Sequence, residues 1–222
     1  MKKNHPILEL ISEGEHQQLD FKFEISDSKK IARTLSAFAN TDGGTLLIGV
    51  KDNGNIAGIR SEEEYYMLEA AAEMYCSPKV PFTAKEWNMD GKIVLEVKIA
   101  SSSEKPHKSP DKENQYKAYI RVADENIIAS EVLEMAWTKT AALQGRHIRI
   151  TPPVRKLLNY LEINPYISLS QFRKIARIGY STALNILSDL LAINAVGYLV
   201  IDKKIVYGIS EERRGSETGD EL

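Results

Sequence analysis

Three carboxylates and one lysine raise the sharpest chemical question in this 222-residue chain. Glu15 stands just ahead of a segment in which Leu19, Phe21 and Phe23 alternate with Gln18, Asp20 and Lys22. That period of two predicts a strand with Asp20 and Lys22 on its polar face. Asp52 follows a second predicted strand, residues 45–50, at its far end. Strand ends meeting at one sheet edge would gather Glu15, Asp20 and Asp52 around Mg²⁺ or Mn²⁺. Such a cluster can activate water against a phosphodiester, with Lys22 holding the phosphate. The same residues also read as a solvated polar face, with Asp52 an ordinary turn residue.

A second candidate is the turn Asn40, Thr41, Asp42, Gly43, Gly44. Paired glycines let backbone N–H groups converge into an anion-binding nest at Asn40, Thr41, Gly43 and Gly44, or serve only to reverse the chain tightly. Its spacing is not that of a P-loop, and no dinucleotide fingerprint or HExxH helix occurs elsewhere. These gaps count against P-loop ATPases, dinucleotide enzymes and zinc hydrolases. His5, His16, His107 and His147 are scattered, and the one cysteine, Cys76, forms neither an internal disulfide nor a cysteine-based metal cage.

The elements that must position these groups follow from periodicity. Ile7, Leu8, Leu10 and Ile11 predict a short opening helix, and Ile31, Ala32, Leu35, Phe38 and Ala39 predict a second one behind Asp27 and Ser28 as caps. A helix over roughly residues 61–75, a hairpin over 82–99 and a strand over 116–122 come next. Residues 101–115 are polar and Pro-containing and read as a mobile loop. Ser130 caps a helix over 131–140. After residue 150 the order is helix, helix, turn, helix, hairpin within about sixty residues, as in winged helix-turn-helix modules. The expected domains are therefore 1–140, a linker at 141–150, a winged helix at 151–210 and a disordered tail at 211–222.

Charge divides along the same line. Lys and Arg against Asp and Glu number 18 against 23 for residues 1–140, 9 against 3 for 141–210, and 2 against 5 for 211–222. The basic middle block suits a polyanion. Arg146, Arg149, Arg155, Lys156, Arg173, Lys174, Arg177, Lys203 and Lys204 are its candidate phosphate contacts. The predicted recognition helix presents Ser181, Thr182, Asn185, Ser188 and Asp189, with no Arg or Lys for a bidentate guanine contact. Dimerisation or a protein partner is therefore an alternative role for that module. No run reaches the roughly 18 apolar residues of a membrane span, so a cytoplasmic chain with no membrane contact is expected.

Three segments carry a family resemblance: "EHQQLDFKFE" at 15–24, "SAFANTDGGTLLIGVKDNGNIAGI" at 36–59 and "KAYIRVADENIIAS" at 117–130. Together they resemble the Schlafen AlbA-like domain, often labelled DNA-binding. The resemblance implies an α+β fold with a mixed sheet, and it agrees with a winged helix behind it. It also implies a DNA-binding transcriptional regulator, with ATP binding ascribed to some relatives. Some eukaryotic members are RNA nucleases whose three acids correspond here to Glu15, Asp20 and Asp52. The resemblance thus carries a second reading, a divalent-metal-dependent nuclease acting on RNA or single strands, and a third, a nucleotide-binding or protein-interaction module. Two positions depart from the pattern: Asp20 stands where Glu is usual, and Ala123 where Gly is expected. Nucleolytic members pair two such lobes, and the resemblance would make this chain a homodimer to match them.

Overall fold

Alternation along one central strand organises the first half of the molecule. The computed structural model describes residues 5–140 and 149–210, and by its contacts the chain divides into two units, Met1–Ile128 and Ala129–Leu222. The first unit opens with α1 (Pro6–Glu13), β1 (Leu19–Lys22), α2 (Ser28–Asn40) and β2 (Gly44–Ile48). It continues with α3 (Glu63–Glu73), β3 (Thr83–Met89), β4 (Lys92–Ile99), β5 (Lys108–Pro110), β6 (Tyr116–Val122) and β7 (Glu125–Ile128). Strands β1 and β2 run parallel with α2 as the crossover, and β4 and β3 add antiparallel, giving a mixed sheet in the order β1-β2-β4-β3. Asp27 starts α2 by accepting the Lys29 N–H, satisfying a donor that the first helical turn leaves open.

Because successive side chains in a strand point to opposite faces, β2 feeds two cores. Leu46 and Ile48, with Leu95, Val97 and Ile99 of β4, pack on α2 and α3. Leu47, Val50, Val94, Leu19 and Phe21 pack against Ile7, Leu10 and Ile11 of α1. Asp20 pairs in register with Leu46 and Lys22 with Ile48, so the two charged side chains of β1 face the α2 side. A second sheet, β5-β6-β7, packs on α2.

Residues 101–115 differ from the expected mobile loop. They contain β5, with His107 and Ser109 buried. The cause is Asn40 at the end of α2: its amide donates to the His107 and Tyr119 carbonyls and its Oδ1 accepts the His107 N–H. His107 in turn hydrogen-bonds the Pro78 carbonyl and the Ser102 hydroxyl through its two ring nitrogens. A polar stretch is thus held by buried hydrogen bonds that periodicity does not register.

The second unit holds α4 (Glu131–Thr140), α5 (Pro152–Ile163), α6 (Leu169–Ala176), α7 (Tyr180–Ala192) and the hairpin β8 (Val196–Ile201) with β9 (Lys204–Ile209). Ser168 and Gln171 form a reciprocal capping box at the start of α6. Helix α4, expected to close the first domain, groups instead with the second unit, where it packs along α7. The expected tail, 211–222, and most of the expected linker lie outside the described residues. No described helix is long and apolar enough to cross a membrane.

Candidate functional site

Asp20 is the centre of a buried charge cluster. Its side chain is only 4 % exposed, with Oδ1 3.0 Å from Arg121 Nη2 and Oδ2 2.8 Å from Lys22 Nζ. Arg121, itself 2 % exposed, comes from β6 and lies over the Phe38 ring at 5.2 Å. Its Nη1 donates to Asn126 Oδ1 and its Nη2 also reaches the Leu19 carbonyl. Glu15 sits alongside, accepting the Phe21 N–H at 2.9 Å. Burial pushes the Glu15 carboxyl above its ordinary range, opposed by the Phe21 N–H, and the neighbouring Asp20 raises it further.

Asp52 is not part of this cluster. It is exposed in the turn after β2, and that turn lies on the α1 side of the sheet. Val50 and Ile56 pack with α1, and a Cβ added at Gly54 would stand 3.2 Å from Ile11 Cγ2. Asp20 faces the other side. Of the expected triad, Glu15 and Asp20 lie together, with Arg121 and Lys22 against Asp20, while Asp52 stands exposed in its own turn. Among the described residues no group of three or more His, Cys, Asp or Glu is placed to hold a metal ion. Lys22, expected to steady a phosphate, is committed to Asp20 and to the Phe21 carbonyl.

The Asn40–Gly44 turn is likewise occupied by its own fold. The N–H groups of Thr41 and Gly43 both donate to the Phe38 carbonyl. The Thr41 hydroxyl donates to the Ala37 carbonyl and accepts the Arg121 N–H, while Asn40 is buried in the clamp on His107. Gly43, at φ +72°, has the Ile99 carbonyl oxygen 2.6 Å from where a Cβ would sit, and a Cβ on Gly44 would meet the Phe38 ring at 2.5 Å. The glycines are there because β4 and Phe38 leave no room. An anion or ATP phosphate finds few free donors, and Asp42 adds a negative charge whose Oδ2 already accepts from Gln17 Nε2. Lys105 donates to the Thr41 carbonyl, and its burial lowers the ammonium pKa against the pull of Asp42.

In the second unit the candidate cations are surface groups. Arg149, Arg155, Lys156, Arg173, Lys174, Arg177, Lys203 and Lys204 are all exposed; Arg146 lies outside the described residues. The expected reading face of α7 is divided: Ser181, Thr182 and Asn185 are exposed, whereas Ser188 and Asp189 turn toward α4. Ser188 is fully buried, and Lys139 Nζ of α4 donates to the Ser188 hydroxyl and Asp189 Oδ1, both at 2.7 Å, and to Asn185 Oδ1 at 3.2 Å. The Tyr180 hydroxyl donates to Glu131, also on α4. Sequence reasoning missed Arg121 and Lys139. The first was visible as a lone arginine in the apolar strand "KAYIRV", and the second carried no signal because its partners lie 46 to 50 residues away.

With this geometry established, the family model described as Schlafen, AlbA_2 matches residues 15–130. Similar solved structures include the DIP2311 protein from Corynebacterium diphtheriae, 20% identical over 55% of this chain and 24% of that one, with a TM-score of 0.42. Another is the N-terminal domain of a RecG-related protein from Nitrosomonas europaea, 21% identical over 52% of this chain and 86% of that one, with a TM-score of 0.38. The chain thus spans 24% of the length of the first of these. No curated protein matches it.

Proposed function

The chain belongs to the Schlafen AlbA_2 family, and from that premise we propose that it is a nucleic-acid-binding protein acting as a DNA-binding transcriptional regulator. Its second unit, in this reading, is a winged helix that grips phosphates and reads few bases. One observation carries the proposal: the exposed cations of that unit sit on α5, on α6 and at the hairpin tip, while α7, the helix that would enter a groove, has Asn185, Ser188 and Asp189 bound by Lys139 of α4 and only Ser181 and Thr182 of its polar face left open. Phosphate contacts position a protein on nucleic acid without specifying sequence. Weak sequence preference with steep salt dependence follows.

The test is fluorescence anisotropy of a labelled duplex titrated with the full chain across a salt series. Each phosphate neutralised contributes about −0.9 to the slope of log K against log salt on B-form DNA. Five engaged cations give a slope of about −4.5. Replacing Arg173 and Lys174 by Gln should flatten it by about two. A slope unchanged in that variant, or no duplex binding at low salt, refutes the reading.

A further inference from the structure

Past the end of β1 an aromatic side chain is left at the surface between two cations. Phe23 is 37% exposed. Lys51, from the turn after β2, has its Nζ 5.4 Å from the ring centroid, and Arg60, from the segment before α3, has its Cζ 5.5 Å away. Arg60 is steadied by Glu24, whose carboxylate lies 2.9 Å from the guanidinium. Scattered exposed phenylalanines are ordinary in proteins. Here two positive charges from separate loops converge on one, and the strand alternation explains why the ring is available. Phe23 shares the parity of Leu19 and Phe21, which are buried, but it lies one step beyond the sheet, with no neighbouring strand residue in register.

We propose that Phe23, Lys51 and Arg60 form a stacking platform for single-stranded nucleic acid, a base taking the ring face over which the two cations lie and the cations turning to its flanking phosphates. Every nucleotide couples a planar π-face to a phosphate, which matches a ring flanked by cations. An acidic peptide supplies the charge without the ring. Stacking of this kind is tolerant of sequence, and Arg contributes through its own planar group. The three side chains recognise base and phosphate and carry nothing that reads the sugar, so DNA and RNA bind alike. Two carboxylates sit nearby, Glu24 engaged with Arg60 and Asp52 next to Lys51 in sequence, so the platform depends on the base and not on charge alone. This proposal rests on the nucleic-acid reading above and names a ligand for the first unit.

The experiment measures binding of the full chain to labelled thymidylate and uridylate 12-mers, to an abasic chain with the same phosphates and to a duplex. Phe23→Ala should weaken both 12-mers roughly ten- to hundredfold while leaving the abasic chain and the duplex unchanged, and Phe23→Trp should restore binding. Lys51→Gln with Arg60→Gln should flatten the single-strand salt slope by about one to two. Equal loss on abasic and base-bearing chains, or no loss with a native circular-dichroism spectrum, overturns the platform while the duplex arm still tests the general reading. Absence of binding to every probe at low salt overturns both.

Discussion

Replacing Arg121 by Met is the perturbation that best tests the charge cluster at the centre of the first unit. The guanidinium is 2 % exposed and donates to Asp20 Oδ1, Asn126 Oδ1 and the Leu19 carbonyl. Breaking a buried ion pair from one side leaves an uncompensated charge and costs about 3–5 kcal/mol. Lys22 remains 2.8 Å from Asp20 Oδ2 but is 37% exposed, so it offsets part of the loss and sets the expected cost near the lower end, about 3 kcal/mol. Adding Asp20→Asn removes the orphaned charge, so the double variant should be less destabilised than the two singles together, with a coupling of about 2 kcal/mol. Two units need not unfold together, so the assay needs a reporter confined to the first. The chain has two tryptophans. Trp87, whose indole donates to Glu96 within the β3–β4 pair, can be read alone in urea titrations of a Trp137→Phe background. A coupling below about 0.5 kcal/mol would show that Asp20 and Arg121 act independently and would refute the argument.

Two further perturbations read the same unit. Glu15 has its carboxyl raised mainly by burial, so the folded protein binds that proton more tightly than the unfolded chain does. The stability this gives is fully present below the unfolded value and is lost as pH rises through the folded one. Glu15→Gln, which keeps an acceptor for the Phe21 N–H, should therefore become relatively more stable than the parent as pH climbs out of the acidic range, and paired urea titrations at acid and neutral pH would detect this; a gain that is the same at both contradicts it. Ala123 sits at φ +52° in the β6–β7 turn, where a side chain costs about 1–2 kcal/mol and the added freedom of unfolded glycine returns about 0.4–1. Ala123→Gly should stabilise by about 0.5–1 kcal/mol, and a lower urea midpoint would contradict that.

Part of the first unit was legible because β1 and β2 carry buried apolar side chains on both faces of the sheet. Leu46, Leu47 and Ile48 announce β2, and Leu19 and Phe21 announce β1, by the spacing of side chains that reach two different cores. The motif departure at Ala123 was legible too, and it corresponds to a left-handed backbone position. What could not be read was anything set by partners distant in sequence. Asn40 orders His107 from 67 residues away, Arg121 meets Asp20 from 101, and Lys139 meets Asp189 from 50. The placement of Asp52 was hidden for the same reason. Spacing along two strands fixes which residues lie near a sheet end, but the face that Asp52 takes depends on how its turn packs against Ile11.

The two units handle charge in opposite ways, and that contrast bears on how nucleic acid would be held. In the first, the carboxyls of Asp20 and Glu15 lie against Arg121 and Lys22, so opposite charges are paired within the cluster. In the second, the described arginines stay at the surface, and so do the described lysines other than Lys139, which turns inward onto Asn185, Ser188 and Asp189 of α7. Salt-dependent affinity should then reside mainly in the second unit, and any dependence on bases should reside in the first, at Phe23. The two contributions are separable in one chain: neutralising Arg173 and Lys174 should change the salt slope on duplex without altering the preference for base-bearing over abasic strands, and Phe23→Ala should do the reverse. Duplex recognition through the whole polar face of α7 would instead require α4 to leave, freeing Ser188 and Asp189 beside the already exposed Asn185. In that case Lys139→Met, which removes their common donor, should strengthen duplex binding and sharpen its sequence preference; unchanged binding favours a second unit that works through α6 and the hairpin with α4 in place.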